Sequence, residues 1–105
     1  MFVTVSTYKA KAGEEDAIIA LHENWQHNQQ ARAQGYLSGE LLRSINDAGQ
    51  FIAILRFASQ ESAIALTNNP ERKAWSQRLA SLLEHLPVLV EYTSEWSDVW
   101  REDFP

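Results

Sequence analysis

The chain has 105 residues, 45% of them apolar and 22% charged, the balance of one ordinary globular domain. Fourteen acidic residues against nine basic ones give a formal charge of −5, and Lys and Arg do not cluster, which argues against nucleic acid as a partner. Cysteine is absent, which excludes a disulfide framework, a thiolate nucleophile and a cysteine metal site.

Met1 to Thr7 carry no basic stretch and no long apolar run, so no leader peptide is expected. No later apolar run approaches the roughly 20 residues that span a bilayer, and a cytoplasmic protein without membrane partners is the expectation. Phe2 to Tyr8 reads as a strand, with Phe2, Thr4, Ser6 and Tyr8 on one face and Val3, Val5 and Thr7 on the other. Both faces carry β-favouring or apolar residues, which suggests packing on each side. After a turn from Lys9 to Gly13, Glu14, Glu15 and Asp16 open a helix at its positive dipole end. Ala17, Ile18, Leu21, His22 and Trp25 form its stripe at 3–4 spacing. The polar stretch Asn24 to Gln34 is expected to continue the helix, with Gly35 as its stop.

Tyr36 to Ile45 reads as a second strand, followed by the turn signal Asn46-Asp47-Ala48-Gly49. Phe51 to Phe57 is a third and very apolar strand, with Arg56 its only charge. Ser59 is placed to cap a short helix from Gln60 to Thr67. Asn69-Pro70-Glu71 then supplies a cap, a Pro at the first helical position and an acid in the first turn. That helix is expected to run to Leu86 on a stripe of Trp75, Leu79, Leu82 and Leu86, ended by Pro87. Val88 to Thr93 is a fourth strand. The order β-α-β-β-α-β predicts an α+β, ferredoxin-like sandwich over residues 1–94.

Residues 95–105 form an aromatic tail, with Trp96, Val99, Trp100 and Phe104 at helical spacing. Such a patch is expected to dock on the domain or on a partner subunit. Val3, Val5, Ile52, Ile54, Val88 and Val90 leave neither sheet face polar, so a homodimer packing sheet on sheet is expected.

Chemistry-bearing constellations are few. His22, His27 and His85 do not pair at ligand spacing, so no metal is expected. No nucleophile elbow surrounds any serine, and no Gly-rich phosphate loop occurs. His22 beside Trp25 reads either as a core-edge histidine or as a pocket acid/base. Arg56 reads as a paired strand arginine, with an anionic ligand as the alternative. Tyr8, Trp25, Tyr36, Phe51, Phe57, Trp75 and Tyr92 are core candidates, several of which should converge and could wall an apolar pocket for a flat ligand.

Three stretches in order carry a family likeness. They are Val3-Thr4-Val5 leading to Lys11-Ala12-Gly13-Glu14-Glu15, then Gln34-Gly35-Tyr36-Leu37, then the run from Phe51 through Phe57-Ala58-Ser59-Gln60-Glu61-Ser62-Ala63. Together they resemble antibiotic biosynthesis monooxygenase domains over residues 2 to 93, with Phe57 in place of a usual Trp. The resemblance implies a dimeric α+β barrel with a pocket between each sheet and its helices. It also implies oxidation of aromatic polyketides by O₂ without metal or flavin, from a deprotonated substrate. Haem-degrading relatives carry Asn, Trp and His where this chain has Ser6, Leu66 and Ser76, so haem degradation is not expected. Quinone-forming relatives carry Asn, Trp, Tyr and Arg where this chain has Ala53, Phe57, Ala63 and, loosely, Ser76 or Arg78.

The expected function is therefore a cofactor-independent monooxygenase acting on a small aromatic, quinol or polyketide-like compound. His22 is the expected base and Arg78 or Tyr92 the anion donor. Trp25, Phe57 and Trp75 are the expected substrate-binding walls. A non-catalytic dimeric ligand-binding protein is the alternative, with an isomerase or lyase as a third reading.

Overall fold

Strand alternation decides which residues can meet the helices. The structure, a computed structural model, describes residues 1–26 and 35–98. β1 (Phe2–Lys9), β2 (Tyr36–Arg43), β3 (Gln50–Phe57) and β4 (Val88–Thr93) form one antiparallel sheet in the order β2-β3-β1-β4. β1 pairs with β3 so that Thr4 faces Leu55, Ser6 faces Ala53 and Tyr8 faces Phe51. Paired residues share a face. These lie under the helices, where Tyr8, Phe51, Ala53 and Phe57 are buried. The other parity places Val3, Val5, Ile52, Ile54, Val88, Val90 and Tyr92 on the opposite, open face.

α1 (Glu15–Gln26), α2 (Gln60–Asn68) and α3 (Pro70–Ser81) cover the first face. Ile18, Leu21, Trp75 and Leu79 meet Tyr8, Phe51 and Ala53 in the main core. The caps follow the sequence expectation. Ser59 Oγ accepts from the Ser62 amide at 3.2 Å, and Asn69 Oδ1 accepts from the Glu71 and Arg72 amides at 2.8 and 3.1 Å. Pro70 then occupies the first turn, where its missing N–H costs nothing. The fold is thus α+β and ferredoxin-like in the order β-α-β-β-α-β, with its second helical segment broken at Asn69.

Two boundaries differ from the sequence reading. α3 stops at Ser81 rather than Leu86, because the chain beyond it pairs with the end of β1. Lys11 N–H donates to Leu82 O at 2.9 Å, Glu84 N–H donates to Lys9 O at 2.9 Å, and Ala10 bridges Leu83. Leu83 is buried as a result, while Leu86 is 74% exposed. β2 stops at Arg43, because Ser44 Oγ accepts from the Asn46 and Asp47 amides and starts the turn early. Gly35 has φ +91°, and a Cβ there would collide with the Ser62 side chain, so this position requires glycine. The continuation of α1 through residues 27–34 and the tail residues Val99, Trp100 and Phe104 lie outside the described residues. No described helix is long and apolar enough to cross a membrane.

Candidate functional site

The stripe of α1 and the first turns of α3 bring five side chains together over β1. His22 and Trp25 come from α1, Arg72 and Trp75 from α3, and Tyr8 from the sheet. Trp75 anchors the group. It is buried, and its Nε1–H donates to the Leu21 carbonyl at 3.1 Å. The His22 ring meets it edge-on, with centroids 4.9 Å apart and planes at 82°.

The His22 tautomer follows from its partners. Nδ1 lies 2.8 Å from the Ile18 carbonyl, which can only accept, so Nδ1 carries the proton. Burial lowers the His22 pKa, and the nearby Arg72 charge lowers it further, although the Ile18 bond opposes both. The ring is therefore neutral, and its bare Nε2 accepts from the Tyr8 hydroxyl at 3.3 Å. Burial pushes the Tyr8 phenol up to about 12, against the lowering effect of Arg72.

Because the folded state resists charging His22 while the unfolded chain does not, the unfolded chain binds more protons as pH falls below the ordinary histidine value of about 6.5. Stability from this group is complete above that value and is lost as pH drops through the lower folded value. Urea midpoints at pH 7.5 and 5.5 check this: the loss on acidification should be smaller in His22→Gln than in the parent. Equal losses would show that His22 is not buried neutral.

Arg72 is the feature that sequence reasoning passed over. Its guanidinium stacks on Trp75, 3.9 Å from the ring centroid, and lies 4.9 Å from that of Trp25. Burial brings its pKa down to about 10, with Tyr8 and Tyr36 opposing. The ion pairs among the described residues are Lys9 with Asp47 and Arg56 with Glu40, and neither includes Arg72. Cation–π contacts return about 0.5–2 kcal/mol, whereas removing a charge from water costs several kcal/mol. The guanidinium is thus under-compensated by the described protein groups.

What it faces is open space. Arg72 and Leu55 line both a void of about 30 Å³ against Tyr8, His22 and Trp75, and a larger cavity of about 430 Å³. The larger one has an apolar floor of Leu55, Phe57, Leu66 and Leu89. Thr4, Ser6, Thr67, Ser76 and Gln77 supply polar atoms, and Lys73 adds a second cation. Among the described residues no Asp or Glu lines it. The volume suits a drug-sized ligand. Of the positions singled out by the family resemblance, Ser6, Leu66, Ser76, Phe57 and Ala63 border this cavity, whereas Ala53 borders the small void and Arg78 neither.

The sequence-stated site therefore divides. The structure brings His22, Trp25 and Trp75 together and sets Phe57 in the adjoining cavity, edge-on to Tyr36 with centroids 5.7 Å apart. Arg78 is exposed, and Leu21 and Asn24 lie beside it. It shares a separate depression of about 280 Å³ with Trp25 and Trp75, but it lines neither the void beside His22 nor the cavity beside Arg72. Tyr92 does not join them either. It pairs with Val3 on the open face and is 52% exposed, so the sheet separates it from His22. Arg56 shares that open face, 3.7 Å from Glu40 and 3.5 Å from Ser38. Among the described residues no three His, Asp or Glu side chains gather as a metal site. The signals for Arg72 and Tyr8 were present but weak: an Arg-x-x-Trp spacing on α3, and a strand parity that puts Tyr8 under α1.

A family model for antibiotic biosynthesis monooxygenase matches residues 1–78. A search of curated proteins returned no match. Among solved structures, the chain is similar to a candidate antibiotic biosynthesis monooxygenase from Nitrosomonas europaea, with TM-score 0.78, 20% identity, and coverage of 91% of this chain and 100% of that one. Rv0793 from Mycobacterium tuberculosis gives TM-score 0.78 at 15% identity, covering 93% and 98%. SnoaB, a cofactor-independent oxygenase from Streptomyces nogalater, gives TM-score 0.74 at 14% identity, covering 91% and 94%. At these identities the structural likeness establishes the shared fold. The family match spans most of the chain, including the strand and helices that carry Tyr8, His22, Arg72 and Trp75, and the chain belongs to the antibiotic biosynthesis monooxygenase family.

Proposed function

We propose that this chain is a cofactor-independent monooxygenase acting on a small aromatic or quinol compound in the cavity beside Arg72. The observation that carries the reading is the under-compensated Arg72 guanidinium, stacked against two indoles and lining both the void over Tyr8 and His22 and the larger cavity. A phenolic substrate must lose a proton before it can pass an electron to O₂. With the substrate hydroxyl reaching into the small void, Tyr8 can accept that proton while handing its own to His22 Nε2, and Arg72 stabilises the resulting oxyanion. Trp25 and Trp75 hold Arg72 from behind, and Phe57 and Leu55 give the ring an apolar, water-poor floor.

Two copies pair through the open faces of their sheets, in the cytoplasm. The exposure of Val88, Val90 and Tyr92 on that face, and of Trp96 at 80%, supports the pairing and a docked tail. A solution mass of twice the single chain checks it, and a monomer at micromolar concentration would contradict it.

The enzymatic reading is tested by oxygen uptake with a panel of dihydroxyaromatics in buffer containing a chelator. Uptake should occur with at least one and should fall about a hundredfold in His22→Ala, in line with the loss of an acid–base group. No uptake with any compound would favour the second reading, a ligand-binding protein. That reading draws on one observation: His22 borders the small void and not the larger cavity.

A further inference from the structure

We propose that the larger cavity selects a ligand carrying a carboxylate on a flat apolar body, with the Arg72 guanidinium and the Thr4 hydroxyl as its anchors. This rests on the reading of that cavity as the functional site, but not on the oxygen chemistry.

Three observations converge. First, the chain carries a net charge of −5, yet the described residues bordering this cavity include two cations and no carboxylate. A cavity of that sign inside an acidic protein raises the local concentration of anions. Second, Thr4 is a polar side chain only 9% exposed, on the helix-covered face of β1. Its side chain lines the cavity. A hydroxyl on a cavity wall can donate to an oxygen of a bound ligand. Third, Arg72 has its planar face occupied by Trp75, which leaves its N–H edge as the recognition element. An arginine edge matches the two oxygens of a carboxylate with parallel hydrogen bonds. The ligand then supplies the counter-charge that no described residue provides. The apolar floor of Leu55, Phe57 and Leu66 suits an aromatic body, not a small free anion.

The test uses a redox-inert matched pair, 2-naphthoate and 2-naphthamide, titrated calorimetrically into the full chain. The two differ by one charge at constant shape. Wild-type protein should bind the carboxylate at least about tenfold tighter, the scale of a charge-assisted pair. Arg72→Gln should erase the preference and keep the amide affinity, which also reports that the variant is folded. Arg72→Lys should reduce the preference severalfold, and it decides the matter if Arg72→Gln does not fold. Equal affinities in the wild type, binding of neither probe at millimolar concentration, or a preference that survives substitution would each overturn the proposal. Because neither probe reacts with O₂, a negative result here is separate from a negative oxygen-uptake result.

Discussion

Trp75→Ala should lower unfolding free energy by about 3–5 kcal/mol, a large part of the total for a domain of this size. The indole is 8% exposed in the main core, and its removal opens a cavity between α1, α3 and β1. Three further losses add to that. The Leu21 carbonyl loses its donor, His22 loses the ring it meets edge-on, and Arg72 loses the surface it stacks on. Trp75→Phe keeps an aromatic face but not the N–H, so it should cost about 1–2 kcal/mol. Urea unfolding followed by far-UV circular dichroism separates the two. A cost under about 1 kcal/mol for the alanine variant would show that Trp75 does not anchor the α1–α3 packing.

Arg72→Gln should act on catalysis and spare the fold. Removing a preorganised oxyanion partner typically lowers kcat by about 10²–10³-fold, and kcat/KM for quinol oxidation should fall on that scale. The stability change should be small, about 1 kcal/mol in either direction. Loss of the stack on Trp25 and Trp75 is offset by relief from burying a cation without a carboxylate. A large drop in kcat/KM with an unchanged melting midpoint is the signature to look for. A drop that tracks the midpoint would mean that Arg72 is a packing residue.

Much of the fold was legible because several local signals agree at each element. Ser59 and Asn69-Pro70 announce their helices in one short motif each, and both caps form. The 3–4 spacing of Ile18, Leu21, His22 and Trp25 places His22 and Trp25 where the structure has them, over Tyr8 and against Trp75. The end of α3 was not legible. Leu82 and Leu86 continue the helical stripe, and only the non-local pairing of residues 82–84 with Lys9 and Lys11 stops the helix at Ser81.

The site was legible on one side only. An arginine in a polar helix looks much the same in sequence whether solvated or stacked between indoles, so Arg72 gave only the weak signal of its spacing to Trp75. Arg78 lies six residues later on α3, roughly 240° around the helix, and that rotation carries it away from the cavity. Tyr92 could have been placed correctly. It shares strand parity with Val88 and Val90, whose place on the open face follows from the same alternation.

The placement of function at Arg72, on the helix-covered face, is tested most directly by initial rates of oxygen uptake with one active quinol in Arg72→Gln and Arg78→Gln side by side. Arg72→Gln should lose about a hundredfold or more, and Arg78→Gln should stay within about twofold of the parent, because its side chain is exposed away from the cavity. The reverse order, or equal losses in both, would contradict a site built around Arg72.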